Sequence, residues 1–245
     1  MKLSVIIPSY QQDAVTLVHV REANNSTRPP DEIIVINDGG EDSLLEELQK
    51  IEFRTKVIYA KINEDIPWNY PGACNLGIWL STGDLVFFED NDNIPTREIY
   101  GQMEQYMIDH PEIARASARG RIVVKLEDVI NKPLEEWKQI DSMGPNQGTA
   151  CFRREVLLDI KGHDERFSGE YGYMYVDLRR KLLNRAKVLF GSIGQYYYIH
   201  EGQTKLSRSM SARNYSHLRH NTRDDLLQSP IGILNFTYQI KTLHP

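Results

Sequence analysis

The stretch Leu85-Val-Phe-Phe-Glu-Asp-Asn-Asp-Asn-Ile-Pro95 decides the fold of this 245-residue chain. It begins as a short apolar run, typical of a buried strand, and then carries three acids within four positions. Asp90 and Asp92 form a D-x-D pair, and in extended backbone their side chains share a face because side chains alternate with period two. Carboxylates gathered in this way commonly bind a hard divalent cation. The alternative is a polar loop that turns the chain and caps the helix expected after Pro95.

The sequence around this stretch predicts an α/β fold. Up to residue 95, short β-rich runs alternate with helical patterns, which is typical of a parallel sheet with crossover helices. We expect strands at 3–7, 32–36, 56–59 and 85–88, separated by helices at 14–23, 43–51 and 73–80. A helix is expected at 96–108, followed by a less regular mixture of strands and helices. The prediction is therefore a Rossmann-like, mostly parallel sheet flanked by helices, with a smaller mixed half.

The composition argues against several classes of protein. The chain has 34 acidic and 29 basic residues and a formal net charge of -5, so it lacks the basic excess typical of nucleic-acid binding, and no nucleic-acid partner is expected. Two cysteines favour a reducing compartment such as the cytoplasm over a disulfide framework. Neither a signal-peptide core nor an apolar run of about 18 residues occurs, so no transmembrane segment is expected. The sequence indicates no oligomeric state.

Ligands of open α/β sheets bind beyond the carboxyl ends of the strands, so the residues after each predicted strand are the candidate site. Strand one is followed by Pro8-Ser9-Tyr10, which offers a hydroxyl group and an aromatic face on which a base could stack. Asp38 follows strand two and could accept the N–H of a uracil-like ring, and Asp90 and Asp92 follow strand four. The chain lacks the glycine-rich motifs of dinucleotide and P-loop sites, so a metal ion would have to neutralise bound phosphates.

Four blocks of the sequence resemble the successive signature motifs of family-2 glycosyltransferases with the GT-A fold. They are Ser4-Val-Ile-Ile-Pro-Ser-Tyr10, Ile34-Val-Ile-Asn-Asp-Gly-Gly-Glu-Asp42, Gly72-Ala-Cys-Asn-Leu-Gly77 and Gly83-Asp-Leu-Val-Phe-Phe-Glu-Asp-Asn-Asp92. Each block is modest alone, but four in the right order and spacing are specific. The resemblance implies an enzyme that transfers a sugar from a nucleoside diphosphate sugar, commonly a UDP-sugar, to a hydroxyl of a glycan or related acceptor. It also implies Mn²⁺ or Mg²⁺ as cofactor.

The resemblance further implies roles for individual residues on the donor side. Tyr10 and Asp38 would contact the base, Asp90 the ribose, and Asp92 the metal ion. The complete expected donor site comprises Pro8, Ser9, Tyr10, Asp38, Asn75, Asp90, Lys205 and Arg208 for the nucleotide sugar, and Asp92, Asp90 and His200 for the metal. For Tyr10 and Asp38 the alternatives are packing on the sheet and an ordinary turn.

This interpretation treats the chain as a single domain over 1–245, with a nucleotide-sugar-binding half (1–95), an acceptor half (96–205) and a C-terminal basic loop and helix (206–245). His200 follows a β-rich run and would be a third metal ligand, or an ordinary surface or capping residue. Lys205 and Arg208 would close over the diphosphate and offset its charge, or form a solvated basic loop.

The segment that should carry the general base departs from the family. Where the family reads W-G-x-E-D-x-D-L-x-x-R, this chain has Met174-Tyr175 in place of the Glu-Asp pair, and Asp177 is retained. An inverting transfer needs a base within hydrogen-bond reach of the acceptor hydroxyl. The candidates are Glu170, in the preceding loop, and Asp177, which lies about 200° round the helix from Tyr175 and could instead pair with a basic residue one turn later.

Three functions stay open on this evidence. The first is metal-dependent glycosyl transfer, with inversion if one of the carboxylates reaches the acceptor and with retention by front-face attack if neither does. The second is a nucleotide-sugar-binding domain without turnover. The third is a sugar-phosphate nucleotidyltransferase, which is disfavoured because no glycine-rich, arginine-containing loop follows strand one.

Two further groups of residues could contribute to the site. Trp68-Asn69-Tyr70-Pro71 could line a sugar pocket, because sugars stack their C–H faces on aromatic rings, although core or lid packing is the commoner use of such residues. Arg115, Arg119 and Arg121 could meet an anionic acceptor, or could lie on an exposed hairpin with charged edges.

Overall fold

The computed structural model describes residues 1–185, 189–199, 209–220 and 236–244. Within these residues the chain forms an eight-stranded sheet, a four-stranded sheet and eight α-helices, which confirms the predicted α/β class. No helix in these ranges is both long enough and apolar enough to cross a bilayer.

The elements follow one another along the chain as β-rich and helical segments of ordinary length. The strands are β1 (Leu3–Ser9), β2 (Glu32–Asp38), β3 (Lys56–Ile62), β4 (Leu85–Phe88), β5 (Asn93–Pro95), β6 (Ile113–Ser117), β7 (Gly120–Val124), β8 (Asp141–Met143), β9 (Ala150–Arg153), β10 (Leu189–Ser192), β11 (Gln195–Ile199) and β12 (Tyr238–His244). The helices are α1 (Asp13–Asn24), α2 (Ser43–Leu48), α3 (Tyr70–Leu80), α4 (Ile99–Asp109), α5 (Leu126–Asn131), α6 (Arg154–Asp159), α7 (Met174–Arg185) and α8 (Ala212–His220).

The large sheet has the order β10-β6-β9-β4-β1-β2-β3-β12. Its centre, β4-β1-β2-β3, is parallel, whereas β9 and β12 pair antiparallel with their neighbours. The chain runs outward from β1 to β3 and then returns to place β4 on the other side of β1. A crevice is expected at such a reversal of strand order, where the connections leave β1 and β4 in opposite directions.

Both faces of the large sheet are buried, which explains why its central strands are apolar without alternation. Val5 and Phe87 point to one face, where they pack against residues of α1 and α4. Ile6 and Phe88 point to the other face, where they pack against α3, α6 and α7. The helices therefore hold the carboxyl ends of β1 and β4 in fixed positions.

The small sheet has the order β5-β11-β7-β8 and covers a separate apolar cluster that includes Ile94, Val124 and Ile199. β5 follows directly after the acidic residues of the D-x-D stretch. Its antiparallel pairing with β11 extends to Asp92 itself, because Ile199 donates its backbone N–H to the Asp92 carbonyl at 3.0 Å.

Two segments differ from the sequence prediction. The helix expected at 96–108 begins only at Ile99, because Asn93–Pro95 pairs with β11 as an edge strand. The region 206–245, expected to be a basic loop and helix, contains α8 but also ends in β12, which pairs with β3. Pairing with β12 satisfies the backbone of β3, which would otherwise be an open sheet edge.

The packing of α3 on β1 predicts a strict size limit at Gly77. A Cβ atom at this position would lie 2.4 Å from Cγ2 of Ile6, inside the buried core. We therefore expect Gly77→Ala to lower the free energy of unfolding by about 1–3 kcal/mol, as overpacking of a core does. Chemical denaturation measures this change. Gly144→Ala is the control, because no atom lies within 4 Å of its added Cβ, and equal stability loss in both variants would contradict the packing described.

Candidate functional site

A cavity of about 310 Å³ opens beyond the ends of β1, β2 and β4. Because these strands are parallel, their carboxyl ends meet at one edge of the sheet. Six residues expected from the sequence line this cavity, namely Pro8, Ser9, Tyr10, Asp38, Asp90 and Asp92. The three strand ends thus converge as the sequence predicts.

Tyr10 and Asp38 form one end of the cavity. The Tyr10 hydroxyl donates to Asp65 at 2.9 Å, which fixes the ring at the cavity wall. Asp38 is buried and accepts a hydrogen bond from Asn69 at 3.0 Å. Burial raises the pKa of Asp38 to about 7, with a smaller contribution from the negative charge of Asp65, and the Asn69 hydrogen bond opposes the shift. Asp38 can therefore change its charge near neutral pH.

The first acid after β4 is a structural residue. Glu89 is fully buried, and its carboxylate accepts hydrogen bonds from Tyr100 at 2.8 Å and Tyr196 at 3.0 Å. His19 Nε2 lies 2.7 Å from the same carboxylate. Partners on α1, α4 and β11 thus pair with the carboxylate oxygens of Glu89. This pairing offsets the large free-energy penalty of burying a charged carboxylate.

The second acid, Asp90, faces the cavity and is also held by protein donors. Tyr175 donates to Oδ1 at 3.0 Å, and Asn146 donates to Oδ2 at 2.6 Å. Burial raises the pKa of Asp90, while hydrogen bonds from Tyr70, Tyr175 and Asn146 and the charge of Arg121 act to lower it. The carboxylate is therefore held in a fixed orientation at the mouth of the crevice.

Asp92 lies at the same wall of the cavity and is half-buried. Its Oδ1 accepts a hydrogen bond from Asn93 at 2.8 Å. Among the described residues, no three His, Cys, Asp or Glu side chains are grouped so that they could hold a metal ion by themselves. A cation bound at Asp92 would consequently need ligands from the substrate, from water or from outside the described part of the chain.

Helix α7 places Tyr175, which stands where the family has its catalytic carboxylate, at the cavity wall. Asp177 lies two residues further on and points to the opposite side, as a helical step of about 200° requires. It is 1% exposed, and its negative charge acts on Lys181, one turn later. Asp177 does not line the cavity, and its role as the base stays a prediction.

Glu170, the other expected base, also lies away from the cavity wall. Its side chain is exposed, accepts a hydrogen bond from Ser211 and lies 3.4 Å from Nε of Arg213. These contacts join the loop before α7 to α8. The structure thus places Glu170 at this loop–helix contact, and its catalytic role stays a prediction.

Asn75 is expected at the donor site from its sequence block, and its role there stays a prediction. The buried side chain donates to the His163 carbonyl at 3.0 Å and to Glu165 at 2.8 Å, and accepts from the His163 N–H at 2.8 Å. These bonds tie α3 to the loop at 163–165, and Asn75 does not line the cavity. His200, Lys205 and Arg208 lie outside the described residues, so their predicted roles remain predictions.

The cavity also contains residues that the sequence did not single out, or only partly. Trp68, Asn69 and Tyr70 line it, as the sugar-pocket hypothesis for this segment proposed. The missed wall residues are Gln12, Asn91, Asn146, Tyr171 and Tyr198. The sequence signal for Asn146 is its position in a turn-rich loop that also contains Gly148. A Cβ on Gly148 would lie 2.2 Å from Asp90 Oδ2. A glycine is thus needed where this loop approaches Asp90.

The comparisons agree with this geometry. The fold is of the GT-A class. Its parallel central strands lead into acids at the crevice after β4, and a smaller mixed sheet lies beside them. Residues 4–160 match the family described as glycosyl transferase family 2, and the chain belongs to that family. Met174-Tyr175 stays a departure within it.

Three similar proteins illustrate the relationship. S. aureus TarS, residues 1–349 in complex with UDP-GlcNAc, is 15% identical with a TM-score of 0.64 over 89% of this chain. The mannosyltransferase PcManGT from Pyrobaculum calidifontis, in complex with GDP-Man and Mn²⁺, is 15% identical with a TM-score of 0.57 over 82% of this chain. An uncharacterized glycosyltransferase of Rickettsia bellii (strain RML369-C) is 32% identical over 93 residues, or 38% of this chain.

All three similar proteins are longer than the region matched. The chain covers 64% of the TarS fragment, 58% of PcManGT and 13% of the Rickettsia protein. At 15% identity the two structures establish the common fold.

Behind Tyr70 and Tyr175 lies His163, a buried imidazole for which the described residues offer neither ring nitrogen a hydrogen-bond partner. The ring packs edge-on against Tyr70, Phe88 and Tyr175, with centroids 5.7–6.5 Å apart. Burial lowers its pKa to about 3, the charge of Lys181 adds to the shift, and Asp164 opposes it. His163 is therefore neutral over the range in which an ordinary histidine gains its charge.

This burial predicts a pH-dependent effect of His163→Leu. Below pH 6.5 the unfolded chain binds a proton at His163 that the native chain binds only near pH 3, so this residue lowers native stability as the pH falls. Relative to the unmodified protein, the variant should gain about 1.4 kcal/mol per pH unit between about pH 6 and pH 4. Denaturation across this range measures the difference. Phe152→Leu, in the same aromatic cluster, is the control and should give a pH-independent difference, whereas a flat difference for His163→Leu would contradict the assignment.

Proposed function

We propose that this protein transfers a sugar from a nucleoside diphosphate sugar, with a UDP-sugar as the leading donor, to a hydroxyl group of a glycan or other saccharide. The observation that carries the proposal is the convergence of Tyr10, Asp38 and the D-x-D pair on one cavity at the strand ends. Membership of glycosyl transferase family 2 supports the same reaction type. The similar structures are complexes with UDP-GlcNAc and GDP-Man, which are both nucleotide sugars.

The nucleobase of the donor would lie between Tyr10 and Asp38. The Tyr10 ring is held by its bond to Asp65 and offers an aromatic face. An ionised Asp38 would accept the N3–H of uracil, while Asn69 keeps the carboxylate in place. Asp90 would accept hydrogen bonds from the ribose hydroxyl groups. Tyr175 and Asn146 hold its carboxylate in a fixed orientation for this contact.

The residues at the other end of the cavity suit a divalent cation that is shared with the substrate. Mg²⁺ and Mn²⁺ take oxygen ligands, and Mg²⁺ is commonly bound by one or two carboxylates together with substrate phosphates. Asp92 would supply the main protein ligand, and Asp90 a second. His200 follows Ile199 directly in sequence and stays the candidate third ligand. When bound, Mn²⁺ or Mg²⁺ would neutralise the charge that develops on the departing diphosphate.

Arg121 brings a positive charge to the same wall. Its guanidinium stacks over the Tyr198 ring at 4.6 Å and donates to the Gly144 carbonyl at 2.9 Å. The side chain is therefore oriented before any ligand binds, so a phosphate contact would cost little conformational entropy. We assign Arg121 to the diphosphate, alongside Lys205 and Arg208.

A nucleotide-sugar-binding domain without turnover is the second candidate function, and the absence of a carboxylate at position 175 favours it. Transfer needs a group that accepts the proton of the attacking hydroxyl, unless configuration is retained by front-face attack. The sugar-phosphate nucleotidyltransferase alternative draws no support from the family match.

Asp92→Asn tests the transfer hypothesis. With Mn²⁺ and a panel of UDP-glucose, UDP-galactose and UDP-GlcNAc, we expect the variant to release UDP about a hundredfold more slowly, because the charge at the diphosphate is no longer stabilised. Asp109→Asn, at the exposed end of α4, is the matched control and should keep full activity. Full activity of Asp92→Asn would refute the role of Asp92. Tight UDP binding without release from any donor would select the non-catalytic candidate.

The raised pKa of Asp38 predicts that the preference of the site for uracil over cytosine depends on pH. Protonated Asp38 can donate to N3 of cytosine, whereas ionised Asp38 accepts from N3–H of uracil. Because its pKa is raised to about 7, the UDP-to-CDP affinity ratio should rise about tenfold between pH 6 and pH 8. The shared diphosphate cancels in this ratio. Isothermal titration measures it, and Asp38→Asn should remove the pH dependence while Asp109→Asn keeps it; a constant ratio would exclude contact between Asp38 and the base.

A further inference from the structure

A second cavity, of about 280 Å³, lies directly beside the donor cavity. Asn146 and Tyr175 line both cavities, so these two side chains form the boundary between them. The other walls come from β6, β10, α7 and the loop at 145–147. Tyr175 stands where the family positions its proton acceptor, so an acceptor hydroxyl would be expected at this boundary.

Two arginines enter the second cavity. The Arg115 guanidinium lies 6.0 Å from the ring centroid of Phe190, and the Arg179 guanidinium lies at the same distance from the same ring. Arg115 also lies 5.6 Å from the Phe152 ring, and its Nη2 donates to the Gln147 carbonyl at 2.9 Å. Two cations from different elements thus converge on one aromatic ring.

Within the described part of the chain, no carboxylate pairs with either of these two arginines. Burial lowers the pKa of Arg115, and the like charge of Arg179 lowers it further. In a chain with a net charge of -5, such a local excess of positive charge favours an anion.

We propose that the second cavity is the acceptor subsite and that Arg115 and Arg179 bind an anionic group of the acceptor, a phosphate or a carboxylate. The acceptor is then an acidic or phosphorylated saccharide, with its reacting hydroxyl at Asn146 and Tyr175. Phe190 supplies the apolar surface on which a sugar ring packs. This inference rests on the proposed function, because it assigns the second substrate of the same transfer.

Equilibrium binding of three small sugars, measured in the presence of UDP and Mn²⁺, tests the proposal. Glucose 6-phosphate and glucuronate carry the two kinds of anion, and glucose is the neutral counterpart. We expect at least one anionic sugar to bind about tenfold more tightly than glucose, since charge-assisted bonds to arginine add that much. Binding of the phosphate alone, or of the carboxylate alone, identifies which group the acceptor carries.

Arg179→Gln and Arg115→Gln should each weaken binding of the anionic sugar about tenfold and leave the affinity for UDP with Mn²⁺ unchanged. Arg179 is exposed on α7, so its variant should fold even if loss of the half-buried Arg115 does not permit folding. Arg119→Gln, at an exposed arginine outside both cavities, is the control and should bind like the unmodified protein.

Three results would overturn the proposal. They are equal binding of glucose and both anionic sugars, unchanged anion binding in both arginine variants, or a parallel loss of UDP affinity, which would move the pair to the donor site. Failure of the proposed function is distinguishable, since the unmodified protein would then release no UDP from any donor, whether or not the anionic sugars bind.

Discussion

The hydrogen bonds that hold the acids after β4 are the constraint on which the site depends. The sequence suggests either a metal ion that balances these carboxylates or a polar capping loop, and the structure shows that the protein itself already supplies partners for two of them. Glu89 is satisfied by three buried side chains, and Asp90 by Tyr175 and Asn146. The acids therefore stand in fixed orientations before any ligand arrives. Such preorganisation lowers the cost of binding a charged donor and of stabilising its leaving group.

The fold follows from the sequence with few exceptions, because the central strands are apolar on both faces and each is bounded by polar residues or glycine. The predicted limits of β4 (Leu85–Phe88) agree with the structure. β5 and β12 escape prediction because their residues carry no distinctive pattern of their own. Pairing with β11 and β3 makes them strands, and such long-range pairing is invisible to local patterns.

Apart from Trp68-Asn69-Tyr70, whose aromatic side chains suggested a sugar pocket, the site is predictable where a strand end positions a residue. Pro8, Ser9, Tyr10, Asp38, Asp90 and Asp92 reach the cavity because the parallel strands bring them there. Asn146 and Tyr198 come from a loop and from the small sheet, and their positions depend on tertiary packing. The base candidates Glu170 and Asp177 are carboxylates of suitable type, but α8 and Lys181 respectively account for their charges. Residue type alone could not distinguish a catalytic acid from a structural one.

The two cavities on either side of Asn146 and Tyr175 suggest a division of labour between donor and acceptor. A crystal structure with UDP and Mn²⁺, using the anomalous signal of manganese, tests the central claim most directly. The account predicts the uracil ring at Tyr10 and Asp38, with the manganese peak at Asp92 between the carboxylate and the diphosphate. UDP bound elsewhere, or a manganese peak away from Asp90 and Asp92, would contradict it.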